Sequence, residues 1–132
     1  MQRESFKLDD RYLKESGIVF ISGIQALARL PLEQRRLDDQ AGLNTGGFIS
    51  GYRGSPLGGF DRELWRAKPF IENNHIHFQP GVNEDLAATA VWGSQQVGLF
   101  PGAKYDGVFE PIQRVFLMPP QGHVHEHVHR HA

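Results

Sequence analysis

The 132 residues make a one-domain chain, long enough to bury a core. A formal charge of −1, with 39% apolar and 22% charged residues, is that of a globular protein and offers no clustered Lys and Arg excess for a nucleic acid or an anionic membrane surface. Cysteine is absent, so this chain supplies neither a disulfide nor a thiolate ligand for an iron–sulfur cluster, and with no apolar run near the roughly 20 residues that span a bilayer and no signal core at the polar N-terminus, the expectation is a cytoplasmic protein.

Residues 1–17 read as an N-terminal extension. Ile18-Val19-Phe20-Ile21 then forms a short β-rich run, the first strand expected. Apolar residues recur at helical spacing from Ile24 to Leu30, and Pro31 is expected to end or kink that helix. The charged stretch Gln34 to Asp39 reads as its solvated continuation, closed by Gly42.

Gly47 to Tyr52 is the second strand expected, followed by a turn and a helix around Asp61 to Lys68. Ile76 to Gln79 is the third, flanked by His75 and His77, and Pro80-Gly81-Val82-Asn83 leads into a helix from Glu84 to Val97 rich in small residues. Strands separated by helices at this spacing predict an α/β fold with a parallel sheet flanked by helices. The folded part is expected to occupy 18–109. From 110 to 132 the prolines and alternating histidines predict a disordered tail outside the domain, either a metal-binding feature or an out-of-frame read-through.

Two segments carry residues suited to chemistry. Ser50 to Gly59 has glycine at four of ten places ahead of a helix, which lets backbone approach a ligand and leaves N–H groups for an oxyanion. It lacks the GxxxxGK[ST] spacing of a phosphate loop, and by itself it reads first as an ordinary Gly-Pro turn between strand and helix. In Gln79 to Ala88, Glu84 and Asp85 stand at a helix start, where acids complement the helix dipole. A carboxylate at the mouth of so slim a helix is also placed for partial desolvation, which would raise its pKa.

Three blocks in order resemble the long fused indolepyruvate ferredoxin oxidoreductases, of the 2-oxoacid:ferredoxin oxidoreductase group. They are Gln25-Ala26-Leu27-Ala28-Arg29-Leu30-Pro31-Leu32, the run from Gly42 to Gly59 that contains Gly51-Tyr52-Arg53-Gly54-Ser55-Pro56, and the run from Phe78 to Gln96 that contains Gln79-Pro80-Gly81-Val82-Asn83-Glu84-Asp85. The resemblance implies the N-terminal part of a thiamine-diphosphate pyrimidine-binding domain. It also implies that Gly54, Ser55, Pro56, Asn83 and Glu84 bind the cofactor, that Ser55 lies near the substrate carboxylate, and that Glu84 is the catalytic acid. A glutamate that protonates or hydrogen-bonds N1′ of the aminopyrimidine favours the imino tautomer that activates the thiazolium C2. Arg53 stands where relatives have proline, and its role is open.

The family's diphosphate anchor is a Gly-Asp-Gly…Asn motif holding Mg²⁺. That motif is missing here, as are the cluster cysteines and the gamma-like module, so no residue is assigned to metal. The complete enzyme would take an aryl-pyruvate as substrate and ferredoxin as acceptor, and the chain alone is expected to be inactive. Its role would then be one face of the oxidative decarboxylation site, completed by missing domains or a second subunit. The alternatives are a binding module completed in trans by partner chains and a non-functional remnant of a frameshifted gene.

Overall fold

The computed structural model of the chain describes residues 6–52 and 59–110. In chain order these form α1 (Asp10–Leu13), α2 (Gly23–Gln40), β1 (Thr45–Gly51), α3 (Phe60–Asn73), β2 (Ile76–Pro80), α4 (Glu84–Ser94), a 3₁₀ turn (Val97–Leu99) and β3 (Gly107–Phe109). The strands make one parallel sheet in the order β2-β1-β3, with Gly47 opposite both Ile76 and Phe109. The chain is therefore an α/β protein with a three-stranded parallel sheet flanked by helices. Apart from Glu110, the expected tail lies outside the described residues.

The first expected strand is not one. Residues 18–21 run without a sheet partner among the described residues, and the side chains of Ile18 and Phe20 are exposed, Phe20 set edge-to-face against Phe6 at 5.5 Å between ring centroids. β propensity in a four-residue run makes a strand only where another strand pairs with it, and no described strand does.

α2 starts with a reciprocal cap: the Ser22 hydroxyl accepts from the Gln25 N–H at 3.3 Å, and the Gln25 side chain accepts from the Ser22 N–H at 3.0 Å. The helix then passes through Pro31 without ending. Proline inside a helix forfeits one backbone hydrogen bond, typically a loss of about 3 kcal/mol. Here its ring is fully buried beside Leu32, so burial of the apolar face offsets the break. Pro69 also lies inside a helix, α3, with its own ring exposed while Phe60, Leu64, Ala67 and Ile71 are buried. At the other end of α2, Gly42 sits at φ +77 while its N–H and that of Leu43 close onto the carbonyls of Asp39 and Asp38. This glycine-dependent stop is the one that the sequence predicts.

The charged part of α2 is not a plain solvated face. Arg29 donates to the carbonyls of Arg11 and Lys14 at 2.7 and 2.5 Å, and Arg36 donates to that of Tyr12 at 2.6 Å. These two cations satisfy the open carbonyl end of α1 and pin it to α2. Arg35 is buried and pairs with Asp39 at 2.6 Å. Tyr12, inside the stretch expected to be an extension, thereby enters the core, where its hydroxyl donates to the buried Glu63 carboxylate. Burial, that hydrogen bond and the Glu63 charge push the phenol well above its usual range, while the Arg11 and Arg66 charges act the other way.

The core lies between α2, α3 and one face of the sheet: Ile49, Ile76 and Phe78 meet Ala28, Leu32, Phe60, Leu64, Ala67 and Ile71, with Tyr12 at the margin. Alternation along β1 and β2 turns Phe48, Ser50, His77 and Gln79 to the opposite face, where α4 packs on β1 through Ala87 and Val91.

Candidate functional site

Parallel sheets bind ligands beyond the carboxyl ends of their strands, and both sequence-predicted segments leave the sheet at that end. Gly51 and Pro80, the last residues of β1 and β2, stand side by side in register, and the Gly81 N–H continues the ladder to the Gly51 carbonyl at 2.7 Å. The Ser50 hydroxyl ties the same edge by donating to the Gln79 carbonyl at 2.8 Å. Gly81 is needed for close approach: a Cβ there would lie 2.8 Å from the Cβ of Ala87 and 3.1 Å from the Asn83 carbonyl oxygen.

Asn83 caps α4, its side-chain oxygen accepting from the Leu86 N–H at 2.9 Å. That cap fixes Glu84 as the first helical residue and Asp85 beside it, both exposed. Interaction with the Glu84 carboxylate, with some desolvation, holds the phenol of Tyr52, one residue past β1, above its ordinary range. The two segments, well separated in sequence, are brought together by the register of β1 and β2 and by the Gly51–Gly81 backbone bond.

Of the residues expected at the site, the structure brings Asn83 and Glu84 to this edge as a cap and an exposed acid. Gly54, Ser55 and Pro56, with Arg53, lie outside the described residues. The desolvation foreseen for Glu84 is not supplied by the described residues, among which its side chain is exposed. Tyr52 is the residue that sequence reasoning did not assign. Its only signal was its place next to the strand-ending glycine.

A second concavity lies at the opposite, amino end of the strands. A cleft of about 510 Å³ is floored by Gly46, Phe48, Ile76 and Val108 and rimmed by Val97, Phe100 and Tyr105. His77 stacks on Phe48 at 5.9 Å, and His75, at φ 59, faces the Tyr105 hydroxyl across 3.4 Å. The two histidines therefore belong to this cleft rather than to the Glu84 edge. Among the described residues no three His, Asp or Glu side chains gather as a metal site, and no described helix is long and apolar enough to cross a membrane.

No protein-family model, curated protein or solved structure matches the chain.

Proposed function

We propose that this chain is the aminopyrimidine-binding part of a thiamine-diphosphate-dependent 2-oxoacid:ferredoxin oxidoreductase of the long fused indolepyruvate type, with Glu84 as the group that engages the cofactor. The observation that carries this reading is the convergence of Tyr52, Asn83 and Glu84 at the carboxyl ends of adjacent parallel strands. The donor set fits an aminopyrimidine. A carboxylate offers about four lone-pair positions, so Glu84, exposed at the head of α4, has capacity for a ring N–H. When bound, thiamine diphosphate supplies the carbanion chemistry for decarboxylating a 2-oxoacid.

This chain's own part is narrower. Asn83 orients the helix, Glu84 holds a proton at the pyrimidine, and Gly81 allows the backbone to pass close beneath. The diphosphate, Mg²⁺, the iron–sulfur clusters and ferredoxin fall to other domains or a second subunit.

A module completed in trans is the second reading, and the bare flank of α4 favours it. Val82, Leu86, Trp92, Leu99 and Phe100 are all exposed large apolar side chains, the kind of surface that marks an interaction site.

The test is an NMR titration of the full chain with thiamine diphosphate and Mg²⁺. Amide shifts should concentrate at Tyr52 and from Asn83 to Leu86, and Glu84→Gln should remove most of them while leaving the spectrum of α2 and α3 unchanged. Shifts confined to the cleft at Phe48 and Tyr105, or no shifts at all, would refute the assignment.

A further inference from the structure

We propose that the cleft at the amino ends of the strands is a binding site for an uncharged, planar heteroaromatic molecule of one or two rings, held among Phe48, His77 and Tyr105 and hydrogen-bonded by His75. This site lies at the opposite end of the sheet from Glu84 and does not depend on the thiamine reading.

The walls of the cleft are aromatic and set by the sheet. Phe48 and His77 stand opposite each other in the register of β1 and β2, their rings stacked at 5.9 Å with an interplanar angle of 29°. Two residues before Phe48, Gly46 leaves room for the Tyr105 ring, which would lie 3.1 Å from a Cβ placed there. On the α4 side, Gly93 lines the cleft and has nothing within 4 Å of its would-be Cβ. A space of about 510 Å³ is the size of pockets that enclose a small ligand, and aromatic walls with a few convergent polar groups are their usual lining.

His75 points to a ligand rather than to packing alone. It follows α3 at φ 59, in the left-handed region that L residues enter at a cost. The other described residues in that region are Gly17, Gly42 and Gly102, so only at position 75 is a side chain kept there. That imidazole lines the cleft, is exposed, and stands a loose 3.4 Å from the Tyr105 hydroxyl. Strained residues of this kind gather at ligand sites.

Charge selects the ligand. The acid of the lining, Glu72, is paired with Lys68 at 3.5 Å, no Lys or Arg lines the cleft, and Lys104 is held over the Tyr105 ring at 5.5 Å. An anion entering here would lose water without gaining a counter-charge. A neutral imidazole and a phenol each donate and accept, which suits a ring carrying both an N–H and a bare nitrogen, and flat walls favour contact with a further ring.

Benzimidazole is the probe. NMR titration of the full chain should give saturable shifts at Phe48, His75, His77 and Tyr105 with a dissociation constant of about 1 mM or tighter, within reach of a ligand of this size. Benzoate, equally flat but anionic, should not saturate at the same concentrations. His75→Gly should weaken benzimidazole about 3- to 10-fold, the size expected of one lost hydrogen bond. Its thermal stability should not fall, because glycine accepts this backbone conformation freely, whereas a histidine needed only for packing would lose stability and leave affinity unchanged. Gly93→Leu fills the cleft from α4 with a better helix former and should abolish binding in a folded protein.

No saturable shifts, shifts confined to residues outside the cleft, benzoate binding as tightly as benzimidazole, unchanged affinity in His75→Gly, or undiminished binding in Gly93→Leu would each overturn the proposal. Should His75→Gly fold poorly, the Gly93→Leu titration decides.

Discussion

Against one face of the sheet, α2 and α3 bury Leu32, Phe60, Leu64 and Ile71 together with an arginine and glutamate network. The other face receives only Ala87 and Val91 from α4, beside exposed Trp92, Leu99 and Phe100. A parallel sheet ordinarily has both faces covered, so this asymmetry divides the molecule by task. The α2/α3 side supplies stability from within the chain. The α4 side presents an acid, a tyrosine and unpartnered apolar surface, and its properties depend on what meets it.

The largest expected effect compares one residue from each side. Leu64→Ala should cost about 2–5 kcal/mol in denaturant unfolding, because Leu64 is fully buried among α2, α3 and the sheet. Trp92→Ser should stay within about 0.5 kcal/mol, since Trp92 is 67% exposed. Comparable losses at the two positions would mean that α4 is as well buried as α3, and the division would fall.

Glycines refine the same contrast at smaller amplitude. A Cβ on Gly47 would stand 2.9 Å from both Ile76 Cγ1 and the Phe109 ring. Gly47→Ala should therefore destabilise by about 1–3 kcal/mol, by forcing apart the strands on either side. Gly93, on α4, has nothing within 4 Å of its would-be Cβ, so Gly93→Ala should stabilise by up to about 1 kcal/mol through helix propensity. Thermal unfolding of the two variants side by side checks the opposite signs.

The smallest effect is one of pH. Burial pushes the Glu110 carboxyl up from an ordinary 4.5 to about 7, and its Oε1 has no hydrogen-bond partner among the described residues. The folded chain then keeps this proton after the unfolded chain has released it. The contribution of Glu110 is complete below pH 4.5, declines as pH rises toward 7, and is gone above it. Glu110→Gln should flatten that decline, measured as the difference in stability between variant and wild type across the window. A difference that stays constant with pH would show that the carboxyl is solvated at the end of β3.

Much of this architecture was legible in the chain. β1 and β2 are β-rich runs bounded by Gly and Pro, Gly42 marks the end of α2, and Asn83 followed by two acids marks the start of α4, because caps and turns are chosen by neighbours in sequence. The acid at the head of α4 and the glycine-rich turn after β1 stood out for the same local reasons. What lay beyond reach depends on partners far away in the chain. Pro31 sits inside a helix because its burial outweighs a lost backbone bond, and residues 18–21 are no strand because no described strand pairs with them. β3 has only three residues and no periodicity of its own, so pairing with β1 alone makes it a strand. Tyr12 reaches the core because Arg29 and Arg36 hold the end of α1, and the segments that carry Tyr52 and Glu84 lie together because two parallel strands end side by side. The sequence by itself determined where α2 stops, where α4 starts and which residues could act as acids. The tertiary structure decided which runs become strands and which side chains meet, since sheet pairing, burial and long-range hydrogen bonds are properties of the assembled fold.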